Sequence, residues 1–94
     1  MATASWNGVT IAESGEYEVV EGNVYFPRSA LREQYFAPSA TTSVCGWKGT
    51  ASYFDVIVNG QKNRDAAWYY ADPKPAVTNI RGYVAFWRGV TVTR

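Results

Sequence analysis

The sequence of 94 residues contains no histidine and only one cysteine, Cys45. Catalysis by a Ser-His-Asp triad or a Cys-His pair needs histidine as the proton acceptor, so neither is available within this chain. A structural zinc site needs several cysteine or histidine ligands, which one thiol does not supply. We therefore predict no metal site and no cofactor. Cys45 cannot form an internal disulfide either, which agrees with a reducing compartment.

Long apolar runs and nucleotide-binding motifs are also missing. No apolar run approaches the roughly 20 residues of a membrane-spanning helix, and residues 1–5 (MATAS) lack the basic and apolar regions of a signal peptide. Neither the GxxxxGK[ST] phosphate loop nor the GxGxxG turn occurs. We expect a soluble, cytoplasmic protein that does not associate with membranes.

Charge is nearly balanced, with a formal net charge of +1. This balance argues against nucleic-acid binding as the main role. Most of the lysines and arginines follow residue 47, so the second half carries a weak positive field. Such a field could attract an anionic metabolite, but a solvated strand surface with alternating charges is the more ordinary explanation. We expect a small-molecule partner and a monomer or weak homodimer.

Aromatic residues and short β-prone runs dominate what is present. Four tryptophans, seven tyrosines and four phenylalanines supply a dense core for one domain spanning residues 1–94. Turn residues separate the predicted strands, and the first three strands form a predicted meander. The predicted strands are residues 9–12, 17–20, 24–26, 41–44, 51–58, 62–70, 83–87 and 90–93. A short helix is predicted at residues 30–34, capped by Ser29, and a turn or short helix is predicted around residues 76–80.

The clearest strand, residues 51–58, places Tyr53, Asp55 and Ile57 on one face and Phe54, Val56 and Val58 on the other, which should be the core face. The Asn59-Gly60 pair after it is a strong hairpin signal, so residues 62–70 should return antiparallel. This hairpin brings residues 48–53 close to residues 68–70. We predict a mainly β, antiparallel, barrel-like fold with one or two short helices.

Residues 45–53 (CGWKGTASY) form the most informative segment. Two glycines lie beside a potential nucleophile, Cys45, and a cation, Lys48. This spacing indicates a tight turn that presents side chains rather than a strand that fills a core. For each side chain an ordinary structural role competes with the functional one, because small β domains need aromatics inside and lone cysteines are often buried.

Four blocks of sequence resemble the family catalogued as domain of unknown function 427. They are residues 25–28 (YFPR), 45–53 (CGWKGTASY), 65–73 (DAAWYYADP) and 82–86 (GYVAF). The resemblance implies a β-tent type of fold, similar to methionine sulfoxide reductase B. Zinc held by paired cysteines does not carry over, because this chain has one cysteine. The family's loose label, nucleotidyltransferase-like, finds no support either, since no Gly-Ser followed by an Asp-x-Asp pair is present.

Our first hypothesis is a domain that binds a small anionic or planar metabolite in an aromatic pocket. Lys48 or Arg28 would neutralise an anionic group, and aromatic side chains would stack on a ring. The candidate ligand-binding residues are Arg28, Trp47, Lys48, Tyr53, Trp68 and Tyr70. An enzyme is the alternative, with Cys45 as nucleophile, Lys48 stabilising the thiolate and Tyr53 donating a proton.

A protein-interaction module is a further alternative, in which exposed Trp6, Tyr35 and Trp87 form a patch for a partner. Single-stranded nucleic acid, bound by aromatics and basic residues, ranks last. Asp65 would serve as a general base, but an ion pair with Arg64 or Lys62 is the more ordinary role for a strand-edge carboxylate.

Overall fold

The computed structural model describes residues 1–94 and is mainly β, as the sequence predicts. The strands are β1 (Ala2–Trp6), β2 (Val9–Ser14), β3 (Glu18–Val20), β4 (Asn23–Tyr25), β5 (Phe36–Cys45), β6 (Gly49–Val58), β7 (Gln61–Tyr69), β8 (Val84–Phe86) and β9 (Thr91–Thr93). Three 3₁₀ segments span Arg28–Ala30, Glu33–Tyr35 and Pro75–Ile80. None of these helical segments is long and apolar enough to span a membrane.

The strands form three antiparallel sheets, in the orders β2-β1-β9, β3-β4 and β5-β6-β7-β8. The predicted hairpin of residues 51–70 lies at the centre of the four-stranded sheet. Val58 pairs with Gln61 across the turn. Asn59 and Gly60 have φ values of 51° and 77°, which is the left-handed backbone conformation that a two-residue type I′ turn requires.

Two apolar clusters form because side chains along β6 alternate between the faces of its sheet. Phe54, Val56 and Val58 point into the larger cluster and are almost fully buried, as predicted. Ala51 belongs to the smaller cluster, and the partly buried Tyr53 packs against it. The other buried members of the smaller cluster are Tyr25, Tyr70, Val77, Ile80 and Ala85. Both faces of the four-stranded sheet are therefore packed against other parts of the chain.

The predicted helix at residues 30–34 is wrong. Two separate 3₁₀ turns occupy this region, and Ser29 does not cap either of them. The backbone N–H of Arg32 donates to the carbonyl oxygen of Ile11, and Leu31 forms a β-bridge with Ala12. Because the N–H of Arg32 donates to β2, it is not available to continue a helix.

The predicted meander of the first strands is wrong in its first connection. β2 pairs with β1, a strand that the sequence analysis did not predict, through the turn at Asn7 and Gly8. The second connection is confirmed, because β3 pairs with β4. Their turn places Glu21 and Gly22 at φ values of 53° and 79°. Glu21 is thereby presented at the tip of this hairpin.

Candidate functional site

A cleft of about 140 Å³ opens on the side of the four-stranded sheet that carries the smaller cluster. Its lining residues are Lys48, Tyr53, Trp68, Tyr70 and Trp87. The first four were predicted to bind a ligand. Trp87 was predicted only as part of a protein-interaction patch, so its place in this cleft is a new finding.

Strand pairing explains why these aromatic side chains meet. Tyr53 on β6 pairs with Trp68 on β7, and Trp68 pairs with Ala85 on β8. Residues that pair in this way point to the same face of the sheet. Trp87 lies two positions after Ala85, just beyond the end of β8. The prediction that residues 48–53 and 68–70 lie at the same end of the hairpin is confirmed.

Trp68 is held by contacts with two other aromatic residues. Its indole Nε1 donates a hydrogen bond to the hydroxyl oxygen of Tyr25 at 3.2 Å. Its ring stands edge-on to the ring of Trp87, with centroids 5.7 Å apart and an interplanar angle of 77°. Burial raises the pKa of the Tyr25 hydroxyl, although the hydrogen bond from Trp68 acts against this. Trp68 is thus fixed both by a hydrogen bond and by edge-to-face packing.

The other two walls are also fixed by hydrogen bonds. Trp87 donates its indole N–H to the carbonyl oxygen of Asp65. The hydroxyl groups of Tyr53 and Ser43 are hydrogen-bonded at 2.8 Å. Tyr53 and Trp87 face each other at 6.4 Å between centroids and 33° between planes. The aromatic walls are therefore held in position before any ligand arrives.

Lys48 is the one charged residue of the cleft and is only 7% exposed. Its Nζ donates a hydrogen bond to Oε1 of Glu21 and lies 4.9 Å from the ring centroid of Trp47 and 5.9 Å from that of Tyr70. Burial acts to lower the pKa of Lys48, but the bond to Glu21 raises it, and the net direction is upward. Lys48 is therefore a buried, protonated amine. Its partner, Glu21, was not predicted from the sequence.

The turn that carries Lys48 is clamped by residues 72–74. The backbone N–H of Lys74 donates to the carbonyl oxygen of Lys48 at 2.9 Å, and Lys74 Nζ donates to the carbonyl oxygen of Gly46 at 2.6 Å. Gly49 has a φ of 116°, and a Cβ atom there would lie 3.4 Å from the carbonyl oxygen of Asp72. The two hydrogen bonds from Lys74 hold the backbone from which Lys48 extends.

Cys45 begins the same turn but does not line the cleft. Backbone N–H groups of Trp47 and Lys48 donate to its sulfur and lower the pKa of the thiol. Such bonds favour the thiolate, which is the nucleophilic form. The thiol is partly exposed, so it is accessible to reagents without being buried in the core.

The sequence profile described as Domain of unknown function (DUF427) matches residues 1–93. The chain belongs to this family. A comparison with curated proteins finds no match. In this DUF427 domain, two of the blocks that carry the resemblance meet in the cleft. Lys48 comes from the block of residues 45–53, and Trp68 and Tyr70 come from the block of residues 65–73.

Two of the predicted ligand-binding residues of the DUF427 domain lie outside the cleft lining. Arg28 forms an ion pair with Glu33 at 3.4 Å, and its guanidinium lies over the ring of Phe54, which belongs to the larger cluster. Trp47 is 44% exposed and contacts the amine of Lys48 without lining the cleft.

Asp65 does not form the expected ion pair with Arg64 or Lys62. Its carboxylate accepts hydrogen bonds from the hydroxyl groups of Ser39 and Thr41. The bond from Ser39 lowers the pKa of Asp65 most, burial opposes the change, and the bond from Thr41 adds to it. Asp65 thus connects two irregular positions of β5 and β7 and supports the wall residue Trp87 through its carbonyl.

The three residues of the predicted interaction patch differ in exposure. Trp6 and Tyr35 are partly buried and pack against the larger cluster. Trp87 is 43% exposed and lines the cleft. Of the three, only Trp87 presents a large apolar surface to solvent.

Proposed function

We propose that this DUF427 domain binds a small planar metabolite about the size of one substituted six-membered ring. The observation that carries the proposal is the cleft of about 140 Å³ walled by Tyr53, Trp68 and Trp87. An apolar cavity of about 150 Å³ is large enough for benzene. Pockets for drug-sized ligands are larger, at roughly 300–1,000 Å³. A single ring packed against one of these aromatic walls fits this volume.

Lys48 supplies the polar contact that would orient such a ring. Its ammonium group has three N–H donors, and Glu21 is its one hydrogen-bond partner in the protein. The donors that remain are available to an acceptor oxygen on the ligand. A ring that carries a carbonyl or carboxylate group therefore matches both the shape and the chemistry of the cleft.

Titration with single-ring aromatic compounds, followed by NMR of the indole N–H signals, tests this proposal. The signals of Trp68 and Trp87 should shift on binding, while that of Trp6 should stay in place. A comparison of two variants locates the site, since Trp87 and Trp47 are similarly exposed at 43% and 44%. We expect Trp87→Ala to weaken binding roughly tenfold or more, because one stacked wall is lost.

Trp47→Ala should retain most of the affinity, because Trp47 lies outside the lining. An equal loss in both variants would place the ligand elsewhere. Failure of a broad set of single-ring compounds to shift either indole signal would contradict the proposal.

Chemistry at Cys45 is the second candidate function, and one observation favours it. Hydrogen bonding from the backbone of Trp47 and Lys48 lowers the pKa of the Cys45 thiol and so favours the thiolate. The amine of Lys48 in the same turn supports the negative charge, while Tyr53, the suggested proton donor, is hydrogen-bonded to Ser43. Its test is retention or loss of turnover in Cys45→Ala once a ligand of the cleft is known.

A further inference from the structure

We infer that the cleft selects an uncharged ring bearing a carbonyl acceptor over a ring bearing a carboxylate or phosphate. This inference rests on the proposed function and narrows the class of ligand. The observation behind it is the pairing of Lys48 with Glu21, which the sequence analysis did not foresee and which changes the charge that a ligand meets.

The lining has one ionised residue, Lys48, and the carboxylate of Glu21, which lies outside the lining, is bonded to its amine. The pair of side chains carries no net charge at neutral pH. The four remaining lining residues are tyrosines and tryptophans. Burial raises the pKa of Tyr70 to about 12, so its hydroxyl remains neutral. A ligand therefore meets a polar donor whose charge is already neutralised.

Glu21 holds an unusual place for a glutamate. The first central residue of a hairpin turn with both φ values positive is commonly Asn, Asp or Gly, and Glu21 has a φ of 53°. Its carboxylate forms an ion pair with Lys48, while half of its side chain remains exposed. The turn itself does not favour glutamate at this position, but the glutamate there places a negative charge next to the amine of Lys48.

An anionic ligand would have to share Lys48 with this carboxylate. Two like charges a few ångströms apart repel more strongly in a partly buried site than in water. A neutral carbonyl oxygen accepts an N–H from the same amine without that repulsion. The electrostatic balance therefore favours the uncharged ligand.

Other cations near the site do not reverse this balance. Lys74 donates to the carbonyl oxygen of Gly46, and Arg28 is paired with Glu33. Arg88 lies with its guanidinium 4.6 Å from the ring centroid of Trp87. It is exposed and does not line the cleft, so solvent and salt screen its charge.

Benzamide and benzoate provide a matched pair of probes, because they share one ring and differ mainly in charge at neutral pH. Affinities for both should be measured by NMR at constant ionic strength in the wild type, in Glu21→Gln and in Glu13→Gln. Glu13 is the control, because it is an exposed glutamate of β2 that forms no ion pair and its replacement changes net charge equally. Glu21→Asn provides a second neutral variant, since asparagine suits the left-handed turn position.

The wild type and Glu13→Gln should bind benzamide roughly tenfold more tightly than benzoate. In Glu21→Gln and Glu21→Asn, affinity for benzoate should rise roughly tenfold, while affinity for benzamide should change by less than about threefold. A wild type that prefers benzoate, or a preference that Glu21 variants leave unchanged, would overturn the inference and leave the proposed function standing. Absence of binding for both probes in all four proteins would overturn the proposed function and this inference with it.

Discussion

The amine of Lys48 donates a hydrogen bond to the carboxylate of Glu21, although the two residues are 27 positions apart in the chain. Lys48 lies in the turn between β5 and β6, and Glu21 lies at the tip of the β3–β4 hairpin. The bond therefore joins the small two-stranded sheet to the edge of the cleft. It also gives a nearly buried ammonium group a partner of opposite charge.

Removing Glu21 should destabilise the domain more than removing Lys48. Glu21→Gln leaves the buried ammonium without its counter-charge, and we expect a loss of about 1–2 kcal/mol in the free energy of unfolding, moderated by the half-exposed carboxylate. Lys48→Met replaces the amine with an apolar side chain of similar length and should cost less. Urea denaturation of both variants measures the difference. The reverse order of stabilities would contradict the assignment of Lys48 as a buried charge.

Alkylation should reveal a thiol pKa for Cys45 below its ordinary value, since backbone N–H groups donate to the sulfur. The rate of reaction with iodoacetamide against pH, followed by intact mass, reports this pKa without ambiguity because the chain has one cysteine. Lys48→Met should preserve most of the shift, because the backbone bonds are its main cause and the charge of Lys48 contributes less. If the pKa of Cys45 in Lys48→Met equals that of a thiol in an unfolded chain, the amine of Lys48, and not the backbone, lowers the pKa in the wild type.

The domain should lose stability in alkaline solution above pH 10. The pKa of Tyr70 is raised from 10.0 to about 12 by burial, so the folded state keeps a proton that the unfolded state has released. The contribution of Tyr70 to the free energy of unfolding is fully present below the pKa of the unfolded state. It is lost, by up to about 2 kcal/mol, as the pH rises through the pKa of the folded state.

Tyr70→Phe has no hydroxyl to ionise and should flatten this decline. Urea denaturation at a series of alkaline pH values measures the slope, and phenolate absorbance measures ionisation directly. An identical slope in Tyr70→Phe and in the wild type would show that Tyr70 ionises freely in the folded domain.

Acid should weaken the connection between β5 and β7. The pKa of Asp65 is lowered chiefly by the hydrogen bond from Ser39, so its stabilising effect is present above the ordinary pKa of 3.8 and is lost as pH falls through the folded value. Asp65→Asn preserves a residue suited to the φ of 54° at this position. It should cost about 1 kcal/mol at neutral pH and reduce the acid dependence. Unchanged acid sensitivity in Asp65→Asn would assign that dependence to other carboxylates.

Local signals predicted the centre of the fold correctly. The Asn59-Gly60 turn and the alternation of Phe54, Val56 and Val58 determine the β6–β7 hairpin, and cross-strand pairing then brings Tyr53 to Trp68. β1 was missed because small residues (ATAS) precede Trp6, and such residues carry a weak strand signal. The Asn7-Gly8 pair was the available sign of its hairpin.

The parts of the site that were missed depend on contacts between distant segments. Trp87 reaches the cleft because β8 pairs with β7, and Glu21 reaches Lys48 because the β3–β4 hairpin packs beside the cleft. The spacing of these residues in the sequence does not predict either contact. The helix predicted at residues 30–34 is absent for the same reason, since the hydrogen bond from Arg32 to Ile11 and the bridge between Leu31 and Ala12 override a local preference.

The clamp of residues 72–74 on the turn of Lys48 has a consequence for the speed of binding. Because Lys74 holds the carbonyl groups of Gly46 and Lys48, the backbone around the amine has no need to rearrange when a ligand enters. Little ordering entropy then opposes association. Ligand capture should follow a single exponential whose rate rises linearly with ligand concentration, and differences between ligands should appear mainly as differences in residence time.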